Sequence, residues 1–202
     1  MKIASHIISI IFNPILMPTI GIVLIFNTGT HLSLLPAITK QVITVLIFVT
    51  TAVLPMTILP LLYQFKIIKT LFLENKRERV IPMVITVFFY YLGFLLLKKI
   101  GMPTLLNSFF LASIISVLIA AFVSYFWKIS IHTMGIGGVT GVLFALSIKF
   151  GIDIMPLISM VLLASGLTAS ARLYLSCHNT KQIFVGYLCG FLVVFGFIFL
   201  SF

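Results

Sequence analysis

Residues 105–127 read LLNSFFLASIISVLIAAFVSYFW, and this stretch decides the fold. It carries no charged side chain over a length that matches the about 20 apolar residues needed to cross a bilayer core. Working outward, the remaining apolar runs are Ile3–Phe26, Gln41–Leu62, Val80–Leu97, Ile131–Phe150, Ile154–Tyr174 and Ile183–Phe202. The whole chain agrees with that reading. Its 202 residues are 61% hydrophobic and 8% charged, whereas a soluble domain carries about 25% charged residues. There is too little polar surface to coat a water-exposed body, and too much apolar surface for disorder. The expected fold is all-α: a polytopic transmembrane helical bundle of six or seven spans, forming a single integral membrane domain over residues 1–202.

The first run is the weakest as a plain span, because Pro14 and Pro18 each remove a helix donor. A kink is expected there, or a split into an interfacial piece and a shorter span. Six spans with a re-entrant N-terminus is the alternative. Lys2 followed by an apolar run resembles a signal peptide only superficially. Asn13-Pro14 and Met17-Pro18 interrupt it and no A-x-A site follows, so the segment is read as part of the mature protein.

Thirteen Lys and Arg against three Asp and Glu leave a net charge of +10. The basic residues sit in short loops between apolar runs, as membrane proteins place them, which argues against a nucleic-acid partner. The carboxylates are Glu74, Glu78 and Asp153 alone. Hard cations need oxygen ligands, usually carboxylates, so no metal site and no cofactor are expected. Paired-carboxylate hydrolysis is equally disfavoured. Cys177 and Cys189 have neither zinc spacing nor a disulfide framework and are read as small apolar fillers. His6 and His31 are read as structural or loop residues. Gly135, Gly137, Gly138, Gly141 and the Gly186-x-x-x-Gly190 pair are read as close-packing positions.

With seven spans, the N-terminus and the second, fourth and sixth loops share one face. Nine cations fall there and four (Lys40, Lys98, Lys99, Lys149) on the other. Removing Arg79, Lys128 and Arg172 as ligand candidates leaves six to four, which does not decide the orientation. Three polar clusters lie on the richer face: Glu74–Pro82, Lys128–Gly138 and Ala171–Gln182. Two helices separate each cluster from the next, so the chain returns to the same face each time. Their inventory is two histidines, His132 and His178, two or three arginine or lysine donors, and no carboxylate apart from Glu74 and Glu78. Cations beside histidines suit a reacting anion, and phosphate is the first choice. Arginine presents a fork that matches phosphate oxygens. One histidine can attack phosphorus, and a second can protonate the leaving oxygen. His178 and Gln182 stand i, i+4, so on a helix Gln182 could orient His178.

These residues resemble the signatures of the type 2 phosphatidic acid phosphatase superfamily. Arg172-x5-His178-x3-Gln182 resembles its third signature, Arg-x5-His-x3-Asp. Ser130-Ile-His132 resembles its second, Pro-Ser-Gly-His, and Arg79 with Pro82 loosely resembles its first. The chain looks like a small, divergent, Bacteroidetes-like membrane branch of that superfamily, with a motif-bearing core over about 66–195. The resemblance implies a bacterial inner-membrane lipid-phosphate phosphatase. It would act through a phosphohistidine, without a metal, on phosphatidate, phosphatidylglycerol phosphate or polyprenyl pyrophosphate. His178 would be the nucleophile and His132 the general acid. Arg172, Arg79, Lys128 and Ser130 would bind phosphate, with Gln182 and Lys76 in support. Partners would be the lipid phosphate and membrane lipids; a homo-oligomer stays open. Gln182 stands where the family has Asp, which leaves a second expectation: an inactive relative that binds or moves a phospholipid or polyprenyl phosphate.

Overall fold

A computed structural model describes residues 2–69 and 78–201. It is all-helical, with no strand among the described residues. Seven helical segments are long and apolar enough to cross a membrane: 2–25, 37–64, 80–99, 104–126, 131–150, 155–174 and 180–200. The seven-span expectation therefore holds, and the boundaries shift by a few residues.

The first segment is two helices, α1 (Lys2–Ile11) and α2 (Met17–Ile25), joined by a short 3-10 turn over Pro14–Leu16. Asn13 makes the break. Its side chain accepts the Ile15 N–H at 3.1 Å, and Pro14 has no N–H to continue α1. The second segment is also irregular. Helix α3 (Ala37–Phe48) widens into a π turn at Val49–Val53 before α4 (Leu54–Gln64). Pro55 follows the π turn, so no N–H reaches the Thr51 carbonyl in α-helical register. The remaining helices are regular: α5 (Val80–Lys99), α6 (Thr104–Phe126), α7 (Ile131–Phe150), α8 (Met155–Tyr174) and α9 (Thr180–Leu200).

Helix α7 is the centre. Buried positions make up 67% of its span, against 28–44% in the others. It packs on α9, α8, α2 and α6; α1 lies on α8, and α5 lies between α4 and α6. Glycine allows the tightest contact, that of α7 with α9. A Cβ on Gly141 would stand 2.5 Å from the Phe191 carbonyl oxygen, and one on Gly186 2.6 Å from that of Ser130. At Gly137 and Gly190 the carbonyl oxygens of Tyr187 and Met134 stand closer still. Among lipid tails there is no hydrophobic drive to hold helices together, so close backbone approach of this kind does the holding. Thr133 adds a polar tie, donating at 3.0 Å to the Ile183 carbonyl across the same contact.

This contact predicts a contrast between two substitutions on one helix. Gly190→Ala forces α7 and α9 apart and should cost about 1–3 kcal/mol, the usual cost of overpacking. Gly196→Ala adds its methyl where nothing lies within 4 Å and should leave stability unchanged or slightly raised. Thermal unfolding of both variants in detergent measures the difference; equal melting temperatures would show that the helices do not meet at Gly190.

Candidate functional site

Local geometry fixes His178 before any tertiary contact does. Helix α8 ends in a Schellman-type turn. The Cys177 N–H reaches the Arg172 carbonyl at 3.2 Å and the Ser176 N–H that of Leu173 at 2.9 Å. Ser176 takes the left-handed conformation, φ 52°, that the turn requires. Two residues later Asn179 caps α9. Its side chain accepts the Gln182 N–H at 3.0 Å, and the Gln182 side-chain oxygen accepts the Asn179 N–H at 3.3 Å. His178 is thus held between two finished helix ends.

The same Gln182 oxygen lies 3.1 Å from His178 Nδ1. A backbone N–H can only donate, so the atom facing Asn179 is the amide oxygen and the hydrogen must sit on His178 Nδ1. Nε2 then carries the lone pair. His178 is only 7% exposed. Burial pushes its pKa down to about 4; the Gln182 hydrogen bond opposes this, and the charges of Arg79, Arg172 and Lys128 add to it. At neutral pH the ring is uncharged and its Nε2 is available.

His132 begins α7 and finds its partner in the broken first span. In an unbroken helix the Asn13 N–H would take the Ser9 carbonyl. Here it turns to Ile10, at 3.3 Å. The Ser9 carbonyl is therefore left over at the end of α1, and the His132 ring hydrogen-bonds to the Ser9 backbone. Arg172 Nη1 donates to the Ser9 hydroxyl at 3.4 Å. The buried Arg172 Nε has no acceptor among the described residues.

Arg79, His132, Arg172 and His178 all line one cavity of about 290 Å³, with Asn13–Ile15 of the helix break and apolar side chains of α4, α5 and α6. Among the described residues no carboxylate lines it. Arg79 precedes α5; burial and then the positive charge of Arg172 lower its pKa, with Cys177 acting the other way. A guanidinium stays charged regardless. Among the described residues no three His, Cys, Asp or Glu stand together as metal ligands would.

Four of the candidates from the sequence thus share a cavity. Gln182 stands behind His178 as its hydrogen-bond partner. Lys128 does not line the cavity, although His178 feels its charge. Ser130 is fully buried and caps α7, accepting the Thr133 N–H at 3.5 Å, while its own N–H reaches the Gln182 carbonyl at 3.3 Å. It braces α7 against α9 rather than facing the cavity. Lys76 and Glu74 lie outside the described residues. One role went unread. Ser9 had no signal beyond the Asn13-Pro14 break that frees its carbonyl.

The fold defines the chain as a seven-span integral membrane protein, and the cavity adds a cationic, two-histidine pocket near one end. Compared with family models, curated proteins and solved structures, the chain matches none of them.

The low pKa of His178 gives a pH prediction with a definite sign. A neutral imidazole reacts with acylating reagents and a protonated one does not. Acylation of His178 by diethylpyrocarbonate, followed by mass spectrometry of the peptide, should keep its rate as pH falls from 8 to about 5. It should drop only towards pH 4. A rate already halved near pH 6.5, the ordinary value, would contradict the buried, cation-flanked setting.

Proposed function

We propose that the protein is a lipid-phosphate phosphatase of the type 2 phosphatidic acid phosphatase kind, acting through a phosphohistidine without a metal. The observation that carries this reading is His178. Its Nδ1–H is tied to Gln182, and its ring lines a cavity that also holds two guanidiniums and a second histidine. Arg79 and Arg172 bind the phosphate oxygens, with the buried Nε of Arg172 as a donor in need of an acceptor. His178 Nε2 attacks phosphorus, and the P–O bond to the lipid breaks. The imidazolium form of His132, supported by the bound phosphate dianion, gives the departing oxygen its proton and is left neutral. Water then attacks the phosphohistidine with His132 taking a proton, the N–P bond breaks, and inorganic phosphate leaves. The apolar remainder of the wall suits a lipid chain. On the same resemblance we place the protein in a bacterial inner membrane.

One observation favours the second reading, a non-catalytic carrier or binder. Gln182 and the Ser9 backbone are both neutral, so neither histidine has the carboxylate that would stabilise its charged form. In a serine protease triad the corresponding loss of charge costs about 10⁴ in turnover. A bound phosphate dianion can itself supply the missing negative charge.

Phosphate release from mixed lipid phosphates by the purified protein, with and without EDTA, separates the two readings. The phosphatase reading expects release that survives EDTA, is abolished in His178→Ala and falls about 10²–10⁴-fold in His132→Ala. Undiminished release in His178→Ala would remove the nucleophile, and the catalytic reading with it.

A further inference from the structure

Beyond the cations, the cavity runs on into the bundle. A second cavity of about 60 Å³ adjoins it and shares Pro14, Tyr90, Val117 and Ile131 with the first. Among the described residues four hydroxyl side chains line the pair: Thr86, Tyr90, Ser113 and Ser116. Three of them spend their hydrogen on their own helix. Thr86 donates to the Pro82 carbonyl at 2.8 Å, Ser113 to that of Phe109 and Ser116 to that of Ala112, both at 2.9 Å. Tyr90 does not. It is 2% exposed and stacked on Phe110 with ring centroids 5.9 Å apart, yet its hydroxyl meets no acceptor among the described residues. Tyr90 lines both cavities, and a donor there gains from an acceptor that a ligand brings. This one sits where a lipid chain would leave the phosphate site.

Resting on the phosphate site described above, we propose that Tyr90 is a specificity residue that selects lipid phosphates bearing an acyl ester, donating its hydroxyl hydrogen to the ester carbonyl. Tyr90 lies about 16 Å along α5 from Arg79 by helix rise, and helical side chains lean back towards the N-terminus. Its side chain therefore leans back towards the cations, with which it shares the cavity. An acylated glycerol phosphate carries an ester carbonyl between its phosphate and its chain. A prenyl phosphate carries only hydrocarbon there and would leave the phenol unpaired. Sites built to hydrogen-bond a substrate group discriminate strongly against analogues that lack it.

The test uses the whole protein in nanodiscs and three probes: a 1-acylglycerol 3-phosphate, its 1-alkyl ether analogue, which lacks the carbonyl, and a prenyl phosphate. Affinity is read by direct titration, and phosphate release is followed in parallel. The parent protein should bind the ester about tenfold more tightly than the other two. Tyr90→Phe should erase that preference while keeping the ether and prenyl affinities, which also show that the variant is folded. Equal affinities in the parent would overturn the proposal. So would a preference that survives Tyr90→Phe, or an equal loss for all three probes. Preferential binding without phosphate release would defeat the catalytic reading and leave the Tyr90 assignment standing. No binding of any probe would end both.

Discussion

Everything in the site depends on two backbones touching. Helices α7 and α9 meet through glycine, with carbonyl oxygens of each standing where a methyl group of the other would have to go. The contact begins beside the two histidines of the cavity. Ser130, two residues before His132, bonds through its N–H to the Gln182 carbonyl, and Gln182 holds His178. The separation of the two histidines is therefore set by main-chain atoms and not by flexible side chains. A mechanism that needs one imidazole to attack and another to protonate gains from that rigidity, because effective catalysis depends on small tolerances in placement.

The electrostatic arrangement follows from a shortage. With three carboxylates in the chain and none on the cavity wall among the described residues, both histidines are oriented by neutral oxygens, one from an amide side chain and one from a helix end. Neutral partners fix which nitrogen carries the hydrogen without offsetting the guanidinium charge. Two guanidiniums on the cavity wall give the pocket a positive character that suits recognition of phosphate. The neutral partners also leave the charged imidazole forms to be stabilised by that anion.

The helices and their faces were legible in the sequence because a bilayer leaves little choice: long uncharged runs must be spans, and short loops must alternate sides. The grouping of Arg79, His132, Arg172 and His178 followed from the same counting. Ser130 is not among the residues that line the cavity: it is fully buried and accepts the Thr133 N–H as the cap of α7. Ser9 and Tyr90 stayed hidden because each is an uncharged residue inside an apolar run. What gives each its interest is a group its own helix leaves over: a carbonyl at the break before Pro14 and a phenol on the cavity wall. Neither depends on residue type or spacing. Pairing is a property of the folded molecule.

The bond between Ser9 and Arg172 joins positions 163 residues apart. In a membrane protein whose spans insert one after another and then associate, that separation is a statement about time. The leftover carbonyl of α1 enters the bilayer among the first groups made, and the histidine and arginine that complete the pocket come after several further spans. Until α7, α8 and α9 have docked, no intermediate of biogenesis holds an assembled pocket. A chain stalled or cut short before its last hairpin would sit in the membrane as a nearly complete bundle and be wholly silent.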